Sequence, residues 1–286
     1  MIRRSAVVLA GTLTLAACGS GSKGTAAVTV TTATTGAPAA AATTTSPTRG
    51  ASSNPTQGTA AAVTAKDPVV VGFGNSVPLG AACSCETFVS AYANMVASAT
   101  NTKATVDNDA VSGSTSADVV NQLAKSAVQA HVKAATTVLI MTGANDFNDA
   151  FDQVSLGAPT AETYAPVATA VQDNVTAIVE KIQSLNAGAR VVVLDYWAAM
   201  EDGAVAAKDY DAPTMAADIA STTYVNEALT VAAKATGAMY VSTYTAFKGP
   251  AGANDPTALL AADGDHPDAA GHQLIAKTIY AALPTG

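Results

Sequence analysis

From Asp67 onward, short apolar runs alternate with longer stretches in which apolar residues recur every three or four positions. Pro68-Val-Val-Val-Gly-Phe73 is β-branched and continuous, the pattern of a strand buried on both faces. Glu86 to Ala99 follows with Phe88, Val89, Tyr92, Met95 and Val96 at helical spacing. Ala104 to Asp107 is a short strand, and Ser116 to Ala135 reads as one helix carrying Val119, Val120, Leu123 and Val128. Thr137 to Thr142 is the third strand. The longest helical pattern, Ala161 to Asn186, ends before Gly188, a residue suited to a helix stop. Arg190 to Tyr196 is the fourth strand and Thr214 to Thr236 the next helix. Ala238 to Val241 is a weaker fifth strand, and Asp268 to Leu283 a closing helix.

Five strands alternating with helices predict an α/β fold with a parallel sheet covered on both faces. Right-handed crossovers then favour a three-layer α/β/α sandwich with a five-stranded, flavodoxin-like sheet. In such sheets chemistry collects beyond the carboxyl ends of the strands. No Gly-x-Gly-x-x-Gly turn or P-loop opens the first helix, so the layout does not imply a nucleotide.

Composition splits the chain. Residues 1–66 hold five Lys/Arg and no Asp or Glu, whereas residues 67–286 hold the other nine Lys/Arg and all 22 Asp/Glu, a net charge of −13. A domain of that charge is ill suited to gripping phosphate backbones, so a nucleic-acid partner is not expected. Arg3-Arg4 precedes an uncharged stretch, Ser5 to Ala17, too short to span a bilayer and laid out as a secretory signal. It ends in Leu15-Ala-Ala-Cys18-Gly19, which resembles a bacterial lipobox. That resemblance implies removal of residues 1–17, lipidation (palmitate among the acyl chains) of Cys18 and anchoring to the outer face of the cell membrane. Residues 18–66 are almost wholly Ala, Thr, Gly, Ser and Pro, without aromatic, Leu or Ile, and read as a disordered tether. Residues 67–286 are long enough for one domain with its own core.

Four polar turns sit at the expected strand ends and before the last helix: Gly74-Asn75-Ser76, Val111-Ser112-Gly113, Gly143-Ala144-Asn145-Asp146 and Asp263-Gly264-Asp265-His266. Each alone is a common turn. In this order they resemble the blocks of the SGNH (GDSL-type) serine hydrolases, a resemblance that spans residues 67–284. It implies Ser76 as nucleophile, His266 as general base and Asp263 as its orienting acid. The N–H groups of Ser76 and Gly113 and the amide of Asn145 would form the oxyanion hole. Chemistry runs beside the resemblance. A serine hydroxyl needs an adjacent base, and a carboxylate on the far imidazole nitrogen sets the tautomer and stabilises the imidazolium. Asp263 and His266, three apart, can be aimed from one loop, while Asp265 is the rival acid. The family's Asp in the first block is Asn75 here; that Asp is not the triad acid, and Asn keeps its size and an acceptor, so the turn is expected to survive with its support or the pH optimum shifted.

The expected activity is hydrolysis of a carboxylic ester, of a small molecule, a glycan or a lipid, through an acyl-enzyme, with no cofactor and no metal, by a monomer. No wide apolar lid segment is evident, which disfavours long acyl chains. Acyl transfer would use the same residues, and a non-catalytic envelope-binding module would keep only the fold. Cys83-Ser84-Cys85 can close a disulfide or pack as two thiols, and the bridge is the expectation. His131 reads as a surface residue, His272 as structural, and Asp146 as a brace of its own turn.

Overall fold

The apolar runs become five strands: β1 (Val69–Gly74), β2 (Thr105–Asn108), β3 (Thr137–Met141), β4 (Arg190–Leu194) and β5 (Met239–Val241). The structure is a computed structural model and describes residues 66–283. The signal segment, Cys18 and nearly all of the tether lie outside the described residues. All strand pairings are parallel, and the sheet order is β2-β1-β3-β4-β5. This is the expected doubly wound layout, in which the order reverses between β1 and β3 and leaves a crevice at their carboxyl ends. β1 and β3 pair with Val71 beside Val138 and Phe73 beside Ile140. Every residue of β3 is buried, as central strands covered by helices require.

The helices are α1 (Ser76–Leu79), α2 (Phe88–Thr100), α3 (Ser116–Gln122), α4 (Ser126–Ala134), α5 (Asn148–Ser155) and α6 (Thr160–Leu185). They continue as α7 (Gly203–Asp209), α8 (Ala212–Thr236), α9 (Thr243–Lys248) and α10 (Ala269–Ala282). α2 packs with α10 in one layer, while α3, α4 and α8 pack with α6 in the other. The 26-residue α6 lays Val171, Val175, Ile178, Val179 and Ile182 on the core at the spacing read from the sequence. Each fully buried aliphatic side chain of this kind contributes about 1.5–3 kcal/mol.

One expected helix is two. The segment from Ser116 breaks at Leu123–Lys125, where Ala124 N–H and Lys125 N–H bond back only three residues. Gln129 Nε2–H then bonds the Leu123 carbonyl. Leu123, Val128 and Val132 are all buried, so the bend lets both short helices face the core. Four short helices, α1, α5, α7 and α9, escaped the sequence pattern because four to eight residues carry too few turns for periodicity to show.

Candidate active site

β1 delivers Ser76 to the crevice. Gly74 has φ +136°, and a Cβ there would stand 1.8 Å from the Met141 carbonyl, so the strand can turn this close to β3 only with glycine. Asn75 caps α1: its Oδ1 accepts from Val77 N–H at 3.2 Å. Its Nδ2 donates to Tyr196 Oη at 3.0 Å. Asn75 therefore supports the turn as a buried, neutral, doubly bonded side chain beneath Ser76. Ser76 is the first residue of α1, half-buried, and its N–H has no acceptor among the described residues.

The second and third turns are tied to the first. The Gly74 carbonyl accepts from Val111 N–H at 2.9 Å and from Ser114 Oγ at 2.9 Å. Gly113, at φ +78°, is exposed, with open space where a Cβ would stand and no described acceptor for its N–H. Asn145 Nδ2 donates to the Ser114 carbonyl at 2.9 Å, which leaves its second hydrogen free to serve another acceptor. Asp146 does more than brace its own turn. Its carboxylate reaches Ser116 N–H (2.8 Å) and Oγ (2.6 Å) at the start of α3, and Asn174 Nδ2 joins at Ser116 Oγ. Burial raises the Asp146 pKa despite these donors. The network fixes the spacing of Gly113 and Asn145.

The fourth turn is a closed loop. Leu260 bridges Pro267, Ala261 N–H bonds the His266 carbonyl at 2.8 Å, and Asp202 N–H holds the Gly264 carbonyl at 2.8 Å. Asp263 Oδ2 lies 2.9 Å from His266 Nδ1, and its Oδ1 accepts from the N–H groups of His266 and Asp265. Partial burial raises the Asp263 carboxyl, but these hydrogen bonds and the imidazole together outweigh it and hold it below the ordinary range. The rival Asp265 carboxylate stands 3.6 Å from the same nitrogen, outside hydrogen-bond distance. Burial pushes Asp265 up to about 6. His266 Nε2 is buried and has no hydrogen-bond partner, so the Ser76 hydroxyl is not bonded to it in this structure. Asp263 and His266 are thus joined, the turns carrying Ser76, Gly113 and Asn145 are tied through Gly74 and Ser114, and no bond joins Ser76 to His266.

The remaining candidates fall outside this group. His131 is half-buried with Nδ1 2.9 Å from Asp109, and that bond raises its pKa, so it is ion-paired and not a free surface residue. His272 is fully buried, accepts Phe88 N–H at Nδ1 and is pushed down to about 4 by burial. Cys83 and Cys85 form a disulfide, with Cα atoms 5.2 Å apart. Their sulfurs and a His272 nitrogen lie within 4.8 Å of one another. This donor set does not suit a metal: the sulfurs are spent on each other, and the Phe88 bond leaves the neutral imidazole its proton at Nε2.

Tyr196 is not legible in the sequence. It reaches Asn75 across 121 residues of chain, and burial raises its pKa far above the ordinary value, so it stays a neutral prop between the first and third turns. No local pattern marks a tyrosine for that position.

Comparison with known proteins agrees with this layout. The model of the GDSL-like lipase/acylhydrolase family matches residues 69–274. The lipase Lip_vut3 from a goat rumen metagenome has a similar fold, with TM-score 0.60 and 17% identity over 74% of this chain and 96% of its own. A GDSL-like lipase from Parabacteroides merdae gives 0.54 and 18%, over 76% and 95%. An acetylxylan esterase from Geobacillus stearothermophilus gives 0.52 and 17%, over 73% and 91%. No curated protein sequence matches the chain.

Proposed function

Since the chain belongs to the GDSL-like lipase/acylhydrolase family and is an ester-hydrolysing enzyme, we propose that it works through an acyl-enzyme on Ser76. His266 Nε2 takes the Ser76 proton as Oγ attacks the ester carbonyl carbon. The carbonyl oxygen becomes an oxyanion held by the N–H groups of Ser76 and Gly113 and by Asn145 Nδ2. The C–O bond to the alcohol breaks, and His266 gives its proton to the departing oxygen. Water then attacks the acyl-serine, losing its proton to His266, and the carboxylic acid leaves as Ser76 Oγ is reprotonated. Asp263 keeps Nδ1 protonated and stabilises the imidazolium in both halves.

The observation that carries this reading is His266. One ring nitrogen is held at 2.9 Å by a carboxylate, and the other is buried and unpartnered. That is a base whose tautomer is set and whose lone pair is unspent. Bond formation from Ser76 to Nε2 belongs to the substrate-bound state, since catalytic hydrogen bonds commonly tighten only then. An alkyl fluorophosphonate should label Ser76 and nothing else in the domain, and Ser76→Ala should remove the label. Labelling that survives this substitution would sink the assignment.

The alcohol and acyl parts we assign to small or glycan-borne esters; the acetylxylan esterase with the same fold is a precedent for the second. A chain-length series of aryl esters and an acetylated xylan separate them, and product analysis separates hydrolysis from acyl transfer. We assign the enzyme to the outer face of the cell membrane, held by acyl chains on Cys18 at the end of the residue 18–66 tether. Intact mass of the mature protein decides this: a chain without added acyl mass refutes the anchor and leaves the catalytic reading untouched.

A further inference from the structure

One large cavity does not belong to the proposed catalytic centre. It encloses about 730 Å³ at the carboxyl ends of β4 and β5, between α8 and the loop after β4, and Ser76, Gly113, Asn145 and His266 do not line it. That volume suits a small organic ligand. Its wall holds polar atoms without partners. Trp197 lines the cavity, is 2% exposed, and its Nε1–H has no acceptor among the described residues. Asp218, on the α8 wall, is 3% exposed and receives only one described donor, Met200 N–H at 3.2 Å. Glu201 Oε2 is buried and unpartnered as well. Buried polar atoms are nearly always paired in folded proteins, so two unpaired ones in a single wall, beside a buried carboxylate with one described donor, call for a missing partner.

Of the other charges of the wall, Glu227 is exposed to solvent on α8, and the rest are already used. Asp195 is satisfied by Tyr240, Ser242, Thr243 and the Tyr244 N–H. Lys248 is spent on Asp202, with Nζ 2.6 and 2.8 Å from its two oxygens. An anionic ligand would meet carboxylates with no free cation to offset them. An ammonium would satisfy Asp218 and Glu201 but leave the indole N–H unpaired. A hydroxyl both donates and accepts, and adjacent hydroxyls on one ring can serve both carboxylates and the indole together. Met215, Ile219 and Val231 add apolar surface along α8, with Ile219 and Val231 exposed, where the C–H face of a ring can rest.

We propose that the cavity between α8 and the β4–β5 ends is a carbohydrate-binding site for a neutral sugar residue of a glycan chain, separate from the ester-cleaving centre. Burial pushes Asp218 up to about 7, which accords with a site that does not require a cation. The proposal stands independently of the triad. It places a second grip on glycan beside the loop that carries His266, since Asp202 N–H holds the Gly264 carbonyl.

Trp197 is the single tryptophan of the chain, so its emission reports this cavity. The full chain, with Ser76 first blocked by phosphonate, is titrated with neutral xylo-, cello- and N-acetylchito-oligosaccharides, with glycerol and with an alkylammonium salt. Emission and calorimetric heat are read together. A saturable response to at least one oligosaccharide series, absent with glycerol, is the expected result. Read at pH 8 to 9, above the Asp218 pKa, Asp218→Asn and Glu201→Gln should each weaken it about tenfold or more, as loss of a hydrogen bond to a charged group does. Ile219→Ala, at an exposed position that folding tolerates, should weaken it severalfold. Saturation by the ammonium salt alone would make this a cation site and overturn the proposal. No saturable response to any sugar would mean that the cavity holds only water. Binding that is lost when Ser76 is blocked, or that ignores all three substitutions, would place the sugar elsewhere and equally overturn it.

Discussion

Asparagine at position 263 asks which carboxylate serves His266, and the geometry sets the size of the answer. Asp263 Oδ2 is 2.9 Å from Nδ1, whereas Asp265 Oδ2 is 3.6 Å away. Once Ser76 hands its proton to the ring, a carboxylate about 4 Å from the charge stabilises it by about 1 kcal/mol in water and about 4 kcal/mol at an effective dielectric near 20. The Asp263 side chain is 41% exposed, so screening selects the lower part of that range, about 2 kcal/mol, or about thirtyfold in kcat. Asparagine keeps an oxygen for the N–H groups of Asp265 and His266, so the loop should hold. An amide N–H turned toward Nδ1, however, favours the proton on Nε2, the tautomer that cannot accept from serine. In triads of this design that error costs up to about 10⁴. The expected loss for Asp263→Asn therefore lies between about thirtyfold and about 10⁴ in kcat, while Asp265→Asn should lose less than about threefold, having no hydrogen bond to the ring. The assay is kcat and KM on a small aryl ester, with circular dichroism as the check on folding. A larger loss from Asp265→Asn than from Asp263→Asn refutes the assignment of the acid.

Three further outcomes follow from the same geometry. Asn145→Ala removes one oxyanion donor and should lower kcat by about 10²–10³ with a smaller change in KM; steady-state kinetics in which KM carries most of the loss would argue against that role. Asp218 has a folded-state pKa of about 7 against an ordinary 3.8, raised chiefly by burial and further by Asp202, Asp265 and Glu201. Its contribution to stability is thus complete below about pH 4 and lost as pH rises through about 7, a swing of up to about 4 kcal/mol. Urea midpoints should show Asp218→Asn gaining on the parent protein as pH rises across that window, and a constant gap would contradict it. Reducing Cys83–Cys85, which closes a ring across one residue, should cost less than about 2 kcal/mol of global stability. Its main effect is expected in proteolytic protection of the segment between α1 and α2, and a collapse of Tm on reduction would mark the bridge as a structural staple.

Much of this protein was legible in the order of its residues. Val-Val-Val after Pro68, Val-Leu-Ile-Met after Thr137 and Val-Val-Val-Leu after Arg190 are strands because β-branched and apolar runs of that length can be satisfied only in a sheet covered on both sides. Given parallel strands, the carboxyl-end rule points from sequence alone to Gly74-Asn75-Ser76, Gly113, Asn145 and the Asp263–His266 loop. Those features are local: each rests on a few adjacent residues whose chemistry and spacing carry the signal. What tertiary structure alone decided depends on residues far apart along the chain. Tyr196 props Asn75 from 121 residues away, and Phe88 fixes the His272 tautomer from 184 away. The helix at Ser116 bends at Leu123–Lys125 so that both pieces lay buried residues against α6 and β1. That Asp263 lies 0.7 Å nearer His266 Nδ1 than Asp265 does depends on a loop closed by Leu260, Pro267 and Asp202. The cavity by α8 exists only where that helix, the β4 loop and β5 meet. Packing brings such groups together through distances and burial, and neither leaves a period or a motif in the sequence.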